Sequence, residues 1–506
     1  MNPQDSPFRR SSTIYNSPQQ NSNFGDSLTL GSFKNFTPSA WTPFRHGNGN
    51  GSENKAPGRL NKWRNGASAA SSNGNTPQRG SVYSLNRPRL VDFDDSTFNT
   101  TINSTFSNRG VIRSTLPAWA VDDQGNVAEH VTLRDVLDQN ALFEFSADKN
   151  GCRFLQEQYP SHSDNGIHDE VFKKVVENRE KFLAICRNMF GNFFIQRIVE
   201  CSRCEEQEFV MEHLVTDMFS LCLDKSACRV IQLAIQKLDT HLASRLSLQL
   251  RGSDLVQLSI DQNGNHVIQK IIKTLPISAW NFVVDYFQND EYLISVCQDK
   301  YGCRVIQSTI EKLTENPLAP CYPKRVVLLR QLMDGVTRNC AQLASNEFAN
   351  YVVQHVVKSG GVMEAYRDQI IKNCLLRNLL SMAQEKYASH VVEISFLYAP
   401  HHLLVDMMEE IFEGYIPHPE TNRDALDILL FHQYGNYIIQ QMIHICSVVV
   451  FQKNGASENI NPSHVELYAA WLERIKDRVL RNTPRLERFS SGKKIIEALD
   501  KCLEQN

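Results

Sequence analysis

The chain has 506 residues, with 53 Lys and Arg against 56 Asp and Glu, a net charge of −3 and 42% hydrophobic residues. That balance describes a chain with a sizeable core and excludes collagen-like and disulfide-scaffold classes. Charge alone gives no reason to expect a polyanionic partner.

Residues 1–120 are rich in Ser, Asn, Gly and Pro and carry a local net charge of +7, which leaves −10 for residues 121–506. A segment so polar and so rich in turn formers cannot offset its ordering entropy with a core, so 1–120 is expected to be disordered. Within it, Ser6-Pro, Ser17-Pro, Thr37-Pro, Thr42-Pro and Thr76-Pro suggest proline-directed phosphorylation. No apolar run follows Met1, so no export signal is expected. All thirteen cysteines fall between Cys152 and Cys502. Without an export signal they are expected to stay reduced, in a cytoplasmic protein. Cys201 and Cys204 form the one Cys-x-x-Cys, with no second pair behind it, and read as a helix–loop segment and not as zinc ligands. The charge-free run Phe431–Gln452 contains Gln433, Asn436, Gln440, Gln441 and His444, too polar for a bilayer span.

Residues 121–506 repeat themselves. In chain order the segments are Asn150-Gly-Cys-Arg-Phe-Leu-Gln156, Phe190-Gly-Asn-Phe-Phe-Ile-Gln196, Ser226-Ala-Cys-Arg-Val-Ile-Gln232 and Asn263-Gly-Asn-His-Val-Ile-Gln269. Then follow Tyr301-Gly-Cys-Arg-Val-Ile-Gln307, Phe348-Ala-Asn-Tyr-Val-Val-Gln354, Tyr387-Ala-Ser-His-Val-Val-Glu393 and Tyr434-Gly-Asn-Tyr-Ile-Ile-Gln440. Their intervals are 40, 36, 37, 38, 47, 39 and 47 residues, a repeat array with two insertions. The inserts fall near Thr314–Lys324 and Gly414–Arg423, where prolines resist helix formation and a partner surface could be built. Apolar residues such as Val267, Ile268, Ile271 and Ile272 recur at helical spacing. Short helices that cannot bury their apolar faces alone must stack on their neighbours, so the expected fold is all-α, an α-solenoid of eight repeats.

The third and seventh motif positions lie at i and i+4 on one helix face. They are Cys152/Gln156, Asn192/Gln196, Cys228/Gln232, Asn265/Gln269, Cys303/Gln307, Asn350/Gln354, Ser389/Glu393 and Asn436/Gln440. Core packing does not explain an amide or carboxylate at the same place eight times, because an unpartnered buried polar group costs free energy. The plain alternative is a ladder of amides bonding between adjacent repeats. The i+1 position holds Arg153, Phe193, Arg229, His266, Arg304, Tyr351, His390 and Tyr437, each a flat side chain. Flat groups at one-repeat intervals can sandwich nucleobases, with the i and i+4 pair beside each stack reading the base edge.

These eight motifs resemble those of the Pumilio (PUF) family of RNA-binding proteins, over about residues 120–506. Phe489-Ser-Ser-Gly-Lys-Lys-Ile-Ile-Glu497 is similar to the family's C-terminal capping repeat. The resemblance implies a right-handed α-solenoid over 121–506. Its repeats fall near 141–176, 181–216, 217–252, 254–289, 292–327, 339–374, 378–413 and 425–460, with a cap at 475–506. It implies RNA antiparallel to the protein, so repeat eight reads the 5′ base. Asn/Gln suits uracil, whose edge alternates acceptor, donor and acceptor. Cys/Gln suits adenine, and Ser389/Glu393 suits guanine, whose two neighbouring donors face a carboxylate. The expected site is 5′-UGUAUAUA-3′, with the fifth base the most tolerant of change. By resemblance the protein is a monomer that represses mRNAs through their 3′ untranslated regions, with a deadenylase complex and Nanos-type partners. No catalytic motif, cofactor or metal site is expected; His401-His402 reads as a helix start. The rival reading is a protein-binding α-solenoid scaffold, which would not repeat the i+1 and i+4 residues.

Overall fold

The structure, a computed structural model, describes residues 114–160, 166–417, 419–451 and 462–503. The expected phosphorylation and most of the disorder expected over 1–120 fall on residues 1–113, outside the described residues; residues 114–120 are instead placed, with a helical turn at Ala118–Ala120 and with Leu116 and Ala120 buried. Those described divide into two compact units, 114–336 and 337–503. Among them the fold is helical throughout; an isolated bridge between Val121 and Val127 forms no strand.

Each motif opens a helix. In the first unit these are α1 (Lys149–Gln158), α2 (Gly191–Cys201), α3 (Ala227–Lys237), α4 (Gly264–Thr274) and α5 (Gly302–Thr314). They pack one on the next in chain order, each with a short helix before it and a further helix after it. In repeat four these flanking helices are Leu255–Ile260 and Asn281–Tyr286. The second unit holds α6 (Asn350–Lys358), α7 (Ala388–Tyr398) and α8 (Gly435–Val450), again packed in order. It closes with α9 (Pro462–Leu486) and α10 (Ser490–Leu503), both packed on α8. The apolar stripes are buried as the spacing predicts: Val267, Ile268, Ile271 and Ile272 are wholly covered. Burying each such side chain contributes about 1.5–3 kcal/mol, so stacking, not intrinsic helix propensity, holds these short helices.

The helices begin where they do because of one residue that recurs four positions ahead of each i residue. The side chain of Asp148, Asn188, Asp224, Asp261, Asp299 or Asn346 accepts two backbone N–H groups of the first turn, at 2.7–3.0 Å. These are donors that a helix cannot satisfy internally. In repeat eight, Nδ1 of His432 does the same for Tyr434 and Gly435, at 3.3 Å each. Repeat seven has Glu385 at this position, which instead accepts from Ser345.

The first repeat is covered by the chain ahead of it. Trp119 stacks on Phe145, Asn150 Nδ2 donates to the Gly125 carbonyl at 3.1 Å, and Asp148 also accepts from the Thr115 amide at 2.9 Å. A terminal repeat needs such a cover for the face no neighbour buries. Both inserts turn through an asparagine with positive φ, Asn316 at 42° and Asn422 at 49°. The first insert is shorter than the prolines suggest, because helix Tyr322–Arg338 already includes Pro323. Pro323 stands in the first turn, where no N–H is needed. Arg325, 5% exposed, folds back to the carbonyls of Lys312 at 2.9 Å and Asn316 at 3.3 Å.

The turn from the preceding helix into α5 leaves no room at Gly302, where a Cβ would stand 2.3 Å from the Val296 carbonyl oxygen. Gly302→Ala is expected to destabilise the first unit by about 1–3 kcal/mol through overpacking. Gly166→Ala, where nothing lies within 4 Å, is the matched control. Denaturant unfolding of the two variants measures the difference; equal midpoints would show that the close approach is not real.

Candidate nucleic-acid interface

Most of the i and i+4 side chains sit inside the surface, with Gln156, Gln232 and Gln440 half-buried. Asn192, Asn265 and Asn350 are 2% exposed, and Gln196, Gln269, Ser389 and Glu393 are 5–6%. They remain there because they are partnered. In each Asn/Gln pair the Asn donates Nδ2 to the carbonyl of the capping residue: Asn192 to Asn188, Asn265 to Asp261, Asn350 to Asn346 and Asn436 to His432, at 2.7–3.0 Å. The Gln then donates Nε2 to the Asn Oδ1, at 2.8–3.0 Å. The bonds therefore run along one helix, not from repeat to repeat as an amide ladder would require. One exception, Ser308 to Gln269, does cross repeats. Gln196 and Gln354 retain one N–H and their carbonyl, a donor and an acceptor side by side, while Nε2 of Gln440 also reaches the Asn436 carbonyl at 3.4 Å.

The Cys/Gln pairs are built differently. Burial pushes the thiols of Cys228 and Cys303 up to about 11 and that of Cys152 up to about 12, so all three are neutral at ordinary pH. A neutral thiol is a small, weakly polar neighbour. Cys152 donates Sγ–H to the Phe190 carbonyl at 3.0 Å. In repeat five Oε1 of Gln307 accepts from Arg304 at 3.0 Å, while its Nε2 is buried without a partner. In repeat seven the Nδ1 of His390 lies 3.8 Å from a Glu393 carboxylate oxygen, beyond hydrogen-bond distance.

The flat side chains at i+1 are more open: Arg153 and Tyr351 are exposed and the other six are half-buried. The Arg229 guanidinium stands 6.0 Å from the Phe193 ring centre. A base stacked on both faces needs roughly 6.8 Å, twice the 3.4 Å per-base spacing of a strand, so an opening of under about 1 Å admits one. Burial, followed by the charge of Lys273, lowers the His266 pKa and favours the neutral ring. Formal charge is segregated in the first unit. Helices α1–α5 carry Lys149, Arg153, Arg197, Arg229, Lys237, Lys270, Lys273, Arg304 and Lys312 against Glu157, Glu200 and Glu311. In the second unit the motif helices carry only Lys358 and Glu393. The excess of base on the motif helices is thus a property of repeats one to five.

The other singled-out residues lie apart from these pairs. Cys201 ends α2 and Cys204 begins the next helix. Among the described residues, ligand-like spacing occurs at His168, Asp169 and Glu206, where the cationic Arg203 already donates to both carboxylates. His401 starts a helix as expected, but its ring stacks on His464 with centres 3.8 Å apart. Sequence reasoning passed over the capping residues, although their offset from the i position is the same in every repeat, and it passed over Ser308.

A helical array presenting one polar pair and one flat side chain per repeat defines a class of nucleic-acid-binding repeat protein. The family model of the Pumilio-family RNA binding repeat matches residues 142–157, 181–215, 217–243, 254–278, 292–319, 339–372 and 431–452. No matched segment falls on repeat seven. Pumilio domain-containing protein 5 of Caenorhabditis elegans is 51% identical over 393 residues, 77% of this chain and 71% of that protein. Fem-3 mRNA-binding factor 1 of the same organism is 43% identical over 397 residues, 76% of this chain and 64% of its own length. The crystal structure of PUF-6 in complex with 5BE13 RNA is 48% identical, covers 73% of this chain and 100% of that one, and has a TM-score of 0.69. The chain belongs to the Pumilio (PUF) family of RNA-binding proteins, and its fold is the family's α-solenoid of repeats.

His432 makes one of these sites sensitive to pH. Its Nδ1 accepts from two backbone amides, and burial lowers its pKa from the ordinary imidazole value. Because the folded-state pKa is lowered, the cap is fully present at neutral pH and is lost as pH falls through and below the ordinary histidine range. Protonation turns the acceptor into a donor at a helix N-terminus, and Asn436 hangs from the same residue's carbonyl. RNA affinity is expected to fall severalfold between about pH 7.5 and about pH 5.5. His432→Asn, which keeps an acceptor at any pH, should lose that component of the pH profile. An unchanged profile would contradict the role of the cap.

Proposed function

We propose that this protein reads single-stranded mRNA one base per repeat, the mode that PUF repeats exemplify, at the element 5′-UGUAUAUA-3′. Repeat eight takes the first base and repeat one the last. Asn436/Gln440, Asn350/Gln354, Asn265/Gln269 and Asn192/Gln196 take uracil, with Gln Nε2 donating to O4 and Gln Oε1 accepting from N3–H. Cys303/Gln307, Cys228/Gln232 and Cys152/Gln156 take adenine, with the Gln donating to N1 and accepting from the N6 amino group. The orphaned Nε2 of Gln307 fits that reading, since adenine N1 offers the acceptor the protein does not supply. Arg153, Phe193, Arg229, His266, Arg304, Tyr351, His390 and Tyr437 stack between the bases.

The observation that carries the reading is Glu393. It is the one carboxylate among eight i+4 residues, it is 6% exposed, and no cation touches it within hydrogen-bond distance. A buried carboxylate asks for adjacent donors. Among the four bases guanine presents two on one edge, N1–H and the N2 amino group. We further propose that binding represses target mRNAs through their 3′ untranslated regions, in the cytoplasm and without catalysis, by a monomer that brings a deadenylase complex and Nanos-type proteins to the transcript. The support is family membership and a relative named as an mRNA-binding factor.

Replacing Ser389→Asn and Glu393→Gln together converts repeat seven to the pair used for uracil. Fluorescence anisotropy is expected to show the wild type preferring UGUAUAUA over UUUAUAUA and the double variant reversing that preference, each by at least about tenfold. A folded variant that keeps the wild-type preference would contradict the assignment. Absence of RNA binding by the folded wild type would leave the protein-scaffold reading.

A further inference from the structure

The cap of the first motif helix is held by more than its own turn. In repeats two to six and eight the capping side chain accepts first-turn amides alone, among the described residues. Asp148 divides its carboxylate. Oδ1 takes the amides of Asn150 and Gly151, at 2.8 and 3.0 Å. Oδ2 takes three donors from the chain just ahead of repeat one: the Thr115 amide at 2.9 Å, the Ser114 hydroxyl at 3.2 Å and the Thr115 hydroxyl at 3.3 Å. Burial alone would raise the Asp148 pKa, but the amides of Gly151, Thr115 and Asn150 and the Ser114 hydroxyl outweigh it and hold the carboxyl below its ordinary value. The group is therefore charged at neutral pH, and it is 5% exposed. Leu116, next in the chain, fills the space at Gly151, where a Cβ would come within 2.9 Å of its Cδ2. The segment that ties to the cap thus also covers the start of α1.

Thr115 itself is exposed. A phosphate ester there reverses the sign of its contact with Asp148. The ester oxygen has no hydrogen to donate, and the group brings about −1.5 to −2 charges at neutral pH. It stands within hydrogen-bond reach of a buried carboxylate whose field water screens poorly. Repulsion drives residues 114–116 off Asp148, which removes three of its five donors and lifts Leu116 from Gly151. Arg109 and Arg113 are the only charged side chains between Asp95 and Asp122, and a basic approach of this kind suits a kinase with an acidic cleft.

We propose that Thr115 is a phosphorylation site of a serine/threonine protein kinase, and that the phosphate releases the cap of repeat one. Thr115 Oγ1 attacks the γ-phosphorus of ATP, the bond to the ADP oxygen breaks, and the hydroxyl proton passes to the base of the kinase. The modified chain loses its selection of the last base, because α1 carries Cys152, Arg153 and Gln156. That consequence rests on the base-by-base reading proposed above, in which repeat one faces the eighth base; release of the cap does not.

The test uses the full chain with phosphothreonine encoded at position 115. Amide hydrogen exchange at Asn150 and Gly151 is expected to quicken about tenfold. In fluorescence anisotropy the wild type is expected to prefer UGUAUAUA over UGUAUAUC by about tenfold, and the phosphorylated chain by less than about twofold. Both should reject UUUAUAUA equally. Thr115→Val deletes the hydroxyl but keeps the size and the amide, and should stay within about twofold of wild type in both readouts. Mass spectrometry of the chain isolated from its own cells should find phosphate on Thr115. Unchanged exchange at Asn150 and Gly151 overturns the proposal, as does exchange quickened as much by valine as by phosphate, or a cellular chain without phosphate at 115. Quickened exchange with the eighth base read as before contradicts the assignment of that base to repeat one, and leaves the switch standing.

Discussion

The site depends on a capped turn. One residue, four positions ahead of the i position, meets two first-turn amides with its side chain in every repeat but the seventh and, in the Asn/Gln repeats, holds the Asn side chain with its carbonyl. The same short stretch therefore starts the helix and aims its polar pair. In the Asn/Gln repeats this explains why the i and i+4 groups can be buried, since each is bonded within its own helix. The arrangement is local, so it can be repeated with different residues at i without disturbing neighbouring repeats. A change from Asn to Cys at i alters what is offered to a base, while the cap and the apolar stripe stay as they are.

Charge and base identity are distributed unevenly. The basic excess on the motif helices belongs to residues 114–336, and the sole carboxylate of the i+4 series belongs to residues 337–503. On the proposed reading, repeats one to five supply most of the salt-dependent attraction to phosphate. Repeats six to eight supply the discrimination of the UGU triplet. A net charge of −10 over residues 121–506 is compatible with a polyanion because these basic residues are concentrated on the helices that carry the polar pairs.

Much of this was legible in the chain itself. Eight heptapeptides at near-constant interval demand eight equivalent helices, and the i, i+1, i+4 identities point to base reading by residue type alone. The Asp or Asn ahead of six of the eight motifs was equally visible in sequence, yet its double role depends on where its carbonyl points, which only the folded turn reveals. Ser308 was not legible, because a serine after Gln307 has no meaning until α5 lies against α4. Pro323 misled for a related reason: proline excludes helix interiors, but in the first turn of Tyr322–Arg338 it is tolerated.

Selection of RNA from a random pool by the full chain, followed by sequencing, tests the central claim most directly, because it assumes no target. One repeat with a carboxylate among seven with glutamine predicts enriched RNAs with a single strongly selected guanine, flanked on both sides by uracil, and only A and U strongly selected elsewhere. Enrichment of a motif with two or more fixed guanines, or of no motif at all, would contradict it.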